Sequence, residues 1–166
     1  IQKEIYTNFN CVIFHMTDLP YGRGGSPLQN LIIRGHKKTM LSAIKCIDKI
    51  DAGPIYLKKP LSLEGTASEI FKRANTIIEN MIISIINERI EPTPQDGKIV
   101  KFKRRSYVDN DWSKVENLDQ VYDYIRMLDA EDYPSAYIEV GNFKLEFVKA
   151  SINNNSIEAK VRIRKR

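Results

Sequence analysis

The segment that most limits the folds open to this chain is a strand, an irregular loop and a helix in direct succession. Residues 11–14 are all apolar and have the length of a short buried strand. Residues 15–26 contain three glycines and one proline, a composition that predicts irregular structure. Pro27 then begins a helix, which Gly35 is placed to end. Such a unit is typical of α/β sheets, where residues at the carboxyl end of a strand line the ligand crevice.

Periodicity predicts the remaining elements and an α/β fold. Thr66 and Glu69 form a capping box, and apolar residues then recur at three- and four-residue steps to about Arg89, which predicts a long amphipathic helix. A second such helix is predicted at 118–128, and strands are predicted at 40–47, 55–61, 136–140, 143–150 and 157–163. The break at 92–97 divides a first α/β region, residues 1–95, from a small subdomain, residues 96–166.

Length and composition indicate a soluble globular protein. The 166 residues, 42% of them hydrophobic, suffice for one ordinary domain with a small appendage. No apolar run approaches the roughly 20 residues that span a bilayer, so no membrane partner is expected. Cys11 and Cys46 both lie in apolar runs, which predicts reduced thiols and a cytoplasmic location. Basic residues are concentrated at 101–105 and 160–166 and give the chain a net charge of +5. Such clusters can bind phosphates, and a solvated chain end is the alternative for the second cluster.

His15 and Asp51 are the candidate reactive pair, because each follows a predicted strand. If those strands are parallel neighbours, their carboxyl ends lie side by side. An aspartate stabilises a charged imidazole, and the pair can then donate or accept a proton near neutral pH. This chemistry suits acyl transfer to an amine, and a structural hydrogen bond is the alternative. A metal site that adds Asp18 and His36 lacks recognisable ligand spacing, so no metal is expected.

The same residues resemble a known family. The run His-Met-Thr-Asp-Leu-Pro-Tyr-Gly-Arg-Gly-Gly-Ser-Pro from His15 resembles the His-x-Ser-Leu-Leu-Pro-x-x-Arg-Gly-x-x-Pro loop of the folate-dependent N-formyltransferases. Asp51-Ala-Gly-Pro54 is similar to their Asp-x-Gly segment, and 102–105 and 133–136 are similar to later parts of members that act on sugar nucleotides and tRNA. The resemblance covers most of residues 11–150. It implies the C-terminal part of a Rossmann-like sheet followed by a small α+β subdomain.

The resemblance also implies roles for individual residues. In that family, N10-formyl-tetrahydrofolate gives its formyl group to a substrate amine through a tetrahedral intermediate. His15 would stabilise the oxyanion and move a proton, while Asp51 would hold the imidazole charged and help take the proton of the amine. The implied donor-binding residues are Cys46, Ile47, Asp48 and Asp51, and the implied acceptor-binding residues are Gly24, Ser26, Gln29, Lys103, Arg104 and Arg105. Tyr133 and Trp112 offer flat faces for a base or sugar, with packing as the alternative, and His36 is expected to be peripheral.

Two features depart from the family pattern. The family has an asparagine two residues before the histidine, on the same strand face, where this chain has Ile13. Isoleucine cannot donate a hydrogen bond to an oxyanion. Either Thr17, Asp18 or a neighbour compensates, or the reaction is slow, or the chain is not a transformylase. The family also has another half-sheet ahead of this strand, so the sequence resembles the C-terminal two-thirds of a larger protein. A fragment, a split gene product and a shortened member of the family are the alternatives.

The leading functional prediction is an N-formyltransferase that acts on a small amine, the amino sugar of a nucleotide sugar. A tRNA acceptor is the alternative within the same chemistry, and a non-catalytic binding or assembly module derived from such an enzyme is the alternative outside it. Binding of a long polyanion should weaken steeply with salt, and binding of a nucleotide sugar should weaken less. The sequence does not decide whether the chain forms a homodimer.

Overall fold

The computed structural model describes residues 1–166 as four α-helices, eight strands and one 3-10 helix. The helices are α1 (Lys3–Asn8), α2 (Pro27–Ile32), α3 (Ala67–Asn87) and α4 (Leu118–Arg126), with the 3-10 helix at Tyr107–Asn110. The strands are β1 (Val12–His15), β2 (Tyr21–Gly24), β3 (Lys38–Lys45), β4 (Ile55–Ser62), β5 (Val100–Phe102), β6 (Ala136–Val140), β7 (Phe143–Ile152) and β8 (Ile157–Lys165). Helix α1 was not predicted, because it buries no residue and so has no apolar face to mark it.

The first sheet carries the candidate site, and its strands have the order β1-β3-β4. All three strands were predicted, although β3 begins and ends two residues earlier than 40–47. The expectation of parallel neighbours is wrong, because β1 and β3 are antiparallel, with Val12 opposite Lys45 and His15 opposite Ser42. Strand direction follows from the path by which the chain returns to the sheet, and a local apolar pattern carries no such information.

The glycine-rich loop contains a strand, β2, where sequence predicted only irregular structure. It pairs in parallel with β5, which was also not predicted, and Gly24 lies opposite Phe102. A Cβ on Gly24 would lie 2.3 Å from the Phe102 carbonyl oxygen, so glycine is what allows the two backbones to approach. Because β5 lies far along the chain, the local composition of the loop could not indicate this pairing.

Helix α3 begins at the predicted capping box. The Thr66 hydroxyl accepts from the Glu69 amide at 3.3 Å, and Glu69 Oε2 accepts from the Thr66 amide at 2.8 Å. The helix packs its apolar face into the core, where Ile70 and Met81 are fully buried, and ends at Asn87, two residues before the predicted end. Neither α3 nor any other helix is sufficiently long and apolar to cross a membrane.

A single cluster of buried apolar side chains includes residues from both sides of position 95. Leu28 and Leu41 precede that position, and Phe102, Ile125 and Ala136 follow it. Helix α4 ends at Arg126 rather than 128 and packs on β7 of an antiparallel sheet, β6-β7-β8. A division into regions 1–95 and 96–166 stays a prediction.

Candidate functional site

His15 is the last residue of β1, and its side chain is nearly buried, with 8% of its surface exposed. Its Nε2 atom lies 2.8 Å from the carbonyl oxygen of Gly22. A carbonyl oxygen can only accept, so Nε2 carries a proton and donates it to Gly22. The other ring nitrogen, Nδ1, faces Asp51. Both nitrogens are therefore directed at acceptors of the same chain.

Asp51 reaches His15 from the loop between β3 and β4. Its Oδ1 atom lies 3.7 Å from His15 Nδ1, and its Oδ2 atom accepts from the Gly24 amide at 2.8 Å. The predicted proximity of the two side chains is therefore present, but the predicted route is wrong. Because β1 and β3 are antiparallel, the end of β3 lies beside the start of β1, and the loop must turn back along β1 to bring Asp51 to His15.

The loop is held in that position by a residue that sequence reasoning missed, Gln95. Its Nε2 donates to the carbonyl oxygens of Asp51 and Gly53, at 2.9 and 2.8 Å. Its Oε1 accepts from Arg23 Nε at 3.0 Å and from Arg23 Nη2 at 2.7 Å. Gln95 follows β4 and α3 in a segment read only as a helix breaker, and no local pattern marks it as part of the site.

The tight turn after Asp51 also depends on a glycine. A Cβ on Gly53 would lie 1.7 Å from the carbonyl oxygen of Lys45, far inside contact distance. Asp51 itself has a φ of 50°, in the left-handed region that aspartate adopts more readily than most residues. The backbone around the carboxylate is therefore confined on both sides.

Ile13 shares a strand face with His15, and it offers no hydrogen-bond donor. The two proposed substitutes for the missing donor are already engaged. The Thr17 hydroxyl is directed at the same Gly22 carbonyl oxygen, at 3.4 Å, and the Asp18 carboxylate pairs with Lys58. The Gly22 carbonyl oxygen thus accepts from both His15 and Thr17. A substrate oxygen could accept from either donor only by replacing that carbonyl.

The predicted donor-binding residues lie along the β3–β4 loop. Cys46 is buried, and its amide donates to the Cys11 carbonyl at 2.8 Å, so its backbone serves the sheet. The backbone groups of Ile47 and Asp48 make no hydrogen bond within the chain. These free amides and carbonyls are the kind of groups that a flat heterocycle with several donors and acceptors can use.

Four of the six predicted acceptor-binding residues line one cavity of about 310 Å³. They are Ser26, Gln29, Arg104 and Arg105. None of the residues that line this cavity is acidic, and apolar side chains including Phe71 complete it. The Asp109 carboxylate lies near Arg105 but does not line the cavity. The two guanidinium groups that do line it favour an anionic ligand.

The Arg105 side chain is only partly engaged within the chain, through a bond from Nη2 to the Asp109 carbonyl oxygen. Its Nε atom is buried and has no hydrogen-bond partner. Its backbone amide donates to Ser26 Oγ at 3.0 Å, which joins the segment after β5 to the start of α2. The other two predicted residues, Gly24 and Lys103, lie outside the cavity. The Gly24 amide donates a hydrogen bond to the Asp51 carboxylate. Lys103 is exposed, and its carbonyl oxygen accepts from the Asn30 side chain at 2.9 Å.

The remaining candidates, Tyr133, Trp112 and His36, lie in three different surroundings. Tyr133 lines the same cavity and is 43% exposed, so its ring is accessible to a ligand. Trp112 packs edge-on against Phe147, as the packing alternative expects. His36 lies away from Asp51 and bonds through Nε2 to the Tyr21 hydroxyl at 3.1 Å.

A larger cavity, of about 920 Å³, lies on the opposite face of β1. Val12 and Phe14 line it together with Ile82 and Ile86 of α3, and neither His15 nor Asp51 does. Burial raises the pKa of Tyr56 at its edge. Since alternate strand residues point to opposite faces, this cavity and the His15 ring lie on different sides of the sheet.

Comparison with protein families finds a match to the C-terminal domain of methionyl-tRNA formyltransferase, at residues 107–164. A solved methionyl-tRNA formyltransferase from Clostridium thermocellum is 53% identical, with a TM-score of 0.97, and the alignment covers 99% of this chain and 73% of that one. A curated methionyl-tRNA formyltransferase from Malacoplasma penetrans is 28% identical over 154 residues, or 89% of this chain and 48% of that protein. The chain thus spans about half the length of the curated relatives it matches.

A more distant similarity concerns the fold alone. A sugar N-formyltransferase from Shewanella sp. superposes with a TM-score of 0.69 at 17% identity, over 88% of this chain and 63% of that one. The predicted α/β formyltransferase-type fold, in its C-terminal portion, is confirmed by these superpositions.

Proposed function

This chain belongs to the methionyl-tRNA formyltransferase family, and from that premise we propose that it forms part of an enzyme that transfers a formyl group from N10-formyl-tetrahydrofolate to an amine. The observation that carries the proposal is the pair of His15 and Asp51, with 3.7 Å between Nδ1 and Oδ1. That distance exceeds a hydrogen bond, as is common in catalytic pairs without substrate, which tighten in the reactive complex.

In the proposed reaction the amine nitrogen attacks the formyl carbon, and the carbonyl oxygen becomes an oxyanion. The bond from that carbon to N10 then breaks, and the proton lost by the amine ends on N10, so the products are a formamide and tetrahydrofolate. The Nε2–H of His15 stabilises the oxyanion by turning from Gly22 O to the substrate. Asp51 holds the opposite side of the imidazole and draws the proton from the amine.

The β3–β4 loop is the proposed donor site. The free backbone groups of Ile47 and Asp48 support this role, because a pterin presents a matching edge of donors and acceptors. Asp51 would lie between the donor and the attacking amine, whose proton it takes. Cys46 would act only by fixing the start of the loop, since its side chain is buried.

We propose methionyl-tRNA as the acceptor in preference to the amino sugar of a nucleotide sugar. The relative with 53% identity carries the former name, whereas the sugar enzyme resembles this chain in fold only. Strand β8 adds a physical reason, because Lys160, Arg162 and Arg164 are exposed at alternate positions and so share one face, where Arg164 also pairs with Glu146. Such a row can contact successive phosphates. The cavity with Arg104 and Arg105 would then receive the phosphate-bearing end of the acceptor.

We propose a cytoplasmic location. Cys11 and Cys46 are both free thiols, which supports a cytoplasmic enzyme.

The test is a formyl-transfer assay with N10-formyl-tetrahydrofolate and, in separate reactions, methionyl-tRNA and a nucleotide-linked amino sugar. We expect formylated methionyl-tRNA, detected by the mass of one added formyl group. His15→Ala and Asp51→Asn should each lower turnover at least about a hundredfold, since each removes a group that moves or stabilises charge.

His36→Ala is the matched control, because it removes the other histidine, which lies away from Asp51, and it should leave turnover unchanged. Formylation of the sugar alone would overturn the choice of acceptor. Absence of transfer to either amine would favour the non-catalytic module. Full turnover by His15→Ala would instead contradict the role assigned to His15.

A further inference from the structure

We propose that Gln95 is a positioning residue that holds Asp51 against His15, and that Arg23 in turn fixes the orientation of Gln95. The inference rests on the proposed function, since it concerns how Asp51 is kept in place for the reaction. Gln95 lies outside the two motifs that suggest the site, and it acts only through backbone groups of the β3–β4 loop.

The hydrogen-bonding capacity of the Gln95 amide is fully used. Both of its N–H groups donate to carbonyl oxygens, those of Asp51 and Gly53, and its oxygen accepts twice from the Arg23 guanidinium. Arginine can only donate and carbonyl oxygens can only accept, so the amide can adopt only one of its two flipped orientations. Arg23 therefore keeps the Gln95 donors directed at the Asp51 loop.

The loop has little else to hold it. Within residues 47–53 the backbone makes a single hydrogen bond of its own, from the Ala52 amide to the Lys49 carbonyl at 3.3 Å. Ile50, beside Asp51, is 79% exposed, so its side chain does not anchor the turn to the core. Gln95 thus supplies the main polar attachment of this turn to the rest of the protein.

Gln95 is itself on a fixed support. Two residues earlier, Thr93 exchanges two backbone hydrogen bonds with Ile55 at the start of β4, at 2.7 and 2.9 Å. Arg23 lies in β2, one residue before Gly24, whose amide donates to Asp51 Oδ2. Arg23 and Gly24 thus hold Asp51 from two directions, one through its backbone by way of Gln95 and one through its carboxylate.

The experiment combines turnover with amide hydrogen exchange in the full chain. Gln95→Ala should lower kcat about tenfold to a hundredfold with a smaller change in the acceptor KM, because misplacement of a reacting group by about 1 Å has that effect. The Gly24 amide should exchange at least about tenfold faster, because its acceptor on Asp51 moves away. Gln120→Ala, an exposed glutamine on α4, is the matched control and should change neither quantity.

A double variant separates positioning from general stabilisation. If Gln95 acts through Asp51, Gln95→Ala should add no further loss of kcat to Asp51→Asn. Gln95→Glu provides a second variant that retains the contact with Arg23 but lacks the two donors, and it should behave like Gln95→Ala. It keeps the test decisive if the alanine variant fails to fold.

Two results would overturn the proposal. One is an unchanged exchange rate of the Gly24 amide in both Gln95 variants. The other is a loss of kcat on Gln95→Ala that is as large in the Asp51→Asn background as in the parent protein. Absence of any formyl transfer by the parent protein would instead contradict the proposed function. In that case the exchange measurement still decides whether Gln95 holds Asp51.

Discussion

Both ring nitrogens of His15 are directed at acceptors of the same chain. Few hydrogen-bond donors near His15 are therefore free to bind a substrate oxygen. Nε2 donates to Gly22, Nδ1 faces Asp51, and the Thr17 hydroxyl is directed at the same Gly22 carbonyl. Ile13, on the same face of β1, contributes none. At the scale of residues, the strength of the proposed catalysis therefore depends on whether one further donor can be placed beside His15.

We predict that Ile13→Asn raises turnover in formyl transfer, because the amide would add a donor on the face that carries His15. A single oxyanion donor contributes about 2.7–4 kcal/mol where it is well placed, so the gain should reach about tenfold or more. Steady-state kcat is the measurement. Val12→Asn serves as the control, because Val12 lines the cavity on the opposite face of β1. A decrease or no change in kcat for Ile13→Asn would show that isoleucine belongs to a differently arranged pocket.

Among the elements, helix α3 has a capping box, Thr66 and Glu69, that makes the stability of the fold depend on pH. The Thr66 backbone amide, and then its hydroxyl, donate to Glu69 and hold the pKa of that carboxyl below its ordinary value of 4.5. A carboxyl with a lowered pKa in the folded state stabilises the fold above its unfolded-state pKa. That contribution is lost as the pH falls through the lower, folded-state value.

We predict that Thr66→Ala lowers the free energy of unfolding by about 1 kcal/mol near neutral pH, because the cap hydroxyl is lost. The difference from the parent should shrink in acid, where Glu69 is protonated and its bond from the hydroxyl contributes less. Urea unfolding near pH 7 and near pH 3 measures both values. Thr76→Ala, an exposed position within the same helix, should be neutral or slightly stabilising, since alanine is the better helix former. An equal loss at both pH values would contradict the role of Glu69.

At the scale of the whole molecule, Arg126 joins α4 to the segment between β4 and α3. It is 3% exposed, and its Nη1 atom donates to the carbonyls of Leu63 and Gly65 at 2.6 and 2.8 Å. Its Nε atom donates to Asp123 at 2.6 Å. The proposed regions 1–95 and 96–166 thus share a buried polar attachment as well as apolar contacts.

We predict that Arg126→Met lowers the free energy of unfolding by about 3–5 kcal/mol, because it leaves the Asp123 carboxylate without its partner in a buried setting. Arg73→Met, which removes bonds to the carbonyls of Ser62 and Glu64 nearer the surface, should cost about 1 kcal/mol or less. Calorimetry should show one transition for the parent protein, since both regions contribute to one core. Equal losses for the two arginines would contradict the assignment of Arg126 as the main attachment.

Some features of this protein were determined by the sequence alone, because their causes lie within a few residues. The capping box at Thr66 and Glu69 and the helix that starts at Pro27 are of this kind. Three C-terminal strands were likewise predicted, because alternation along each strand is local. The resemblance carried by the His15 and Asp51 motifs also predicted the fold.

Tertiary structure alone decided the direction of β3, the pairing of β2 with β5, and the attachment of Asp51 to Gln95 and Arg23. Each of these joins groups far apart in the chain, and hydrogen bonds between such groups leave no periodic trace in the sequence. That His15 and Asp51 lie close together was predicted from the motifs. The loop that turns back along β1, and the amide that holds it, could be found only once the antiparallel sheet had placed Gln95 beside that loop.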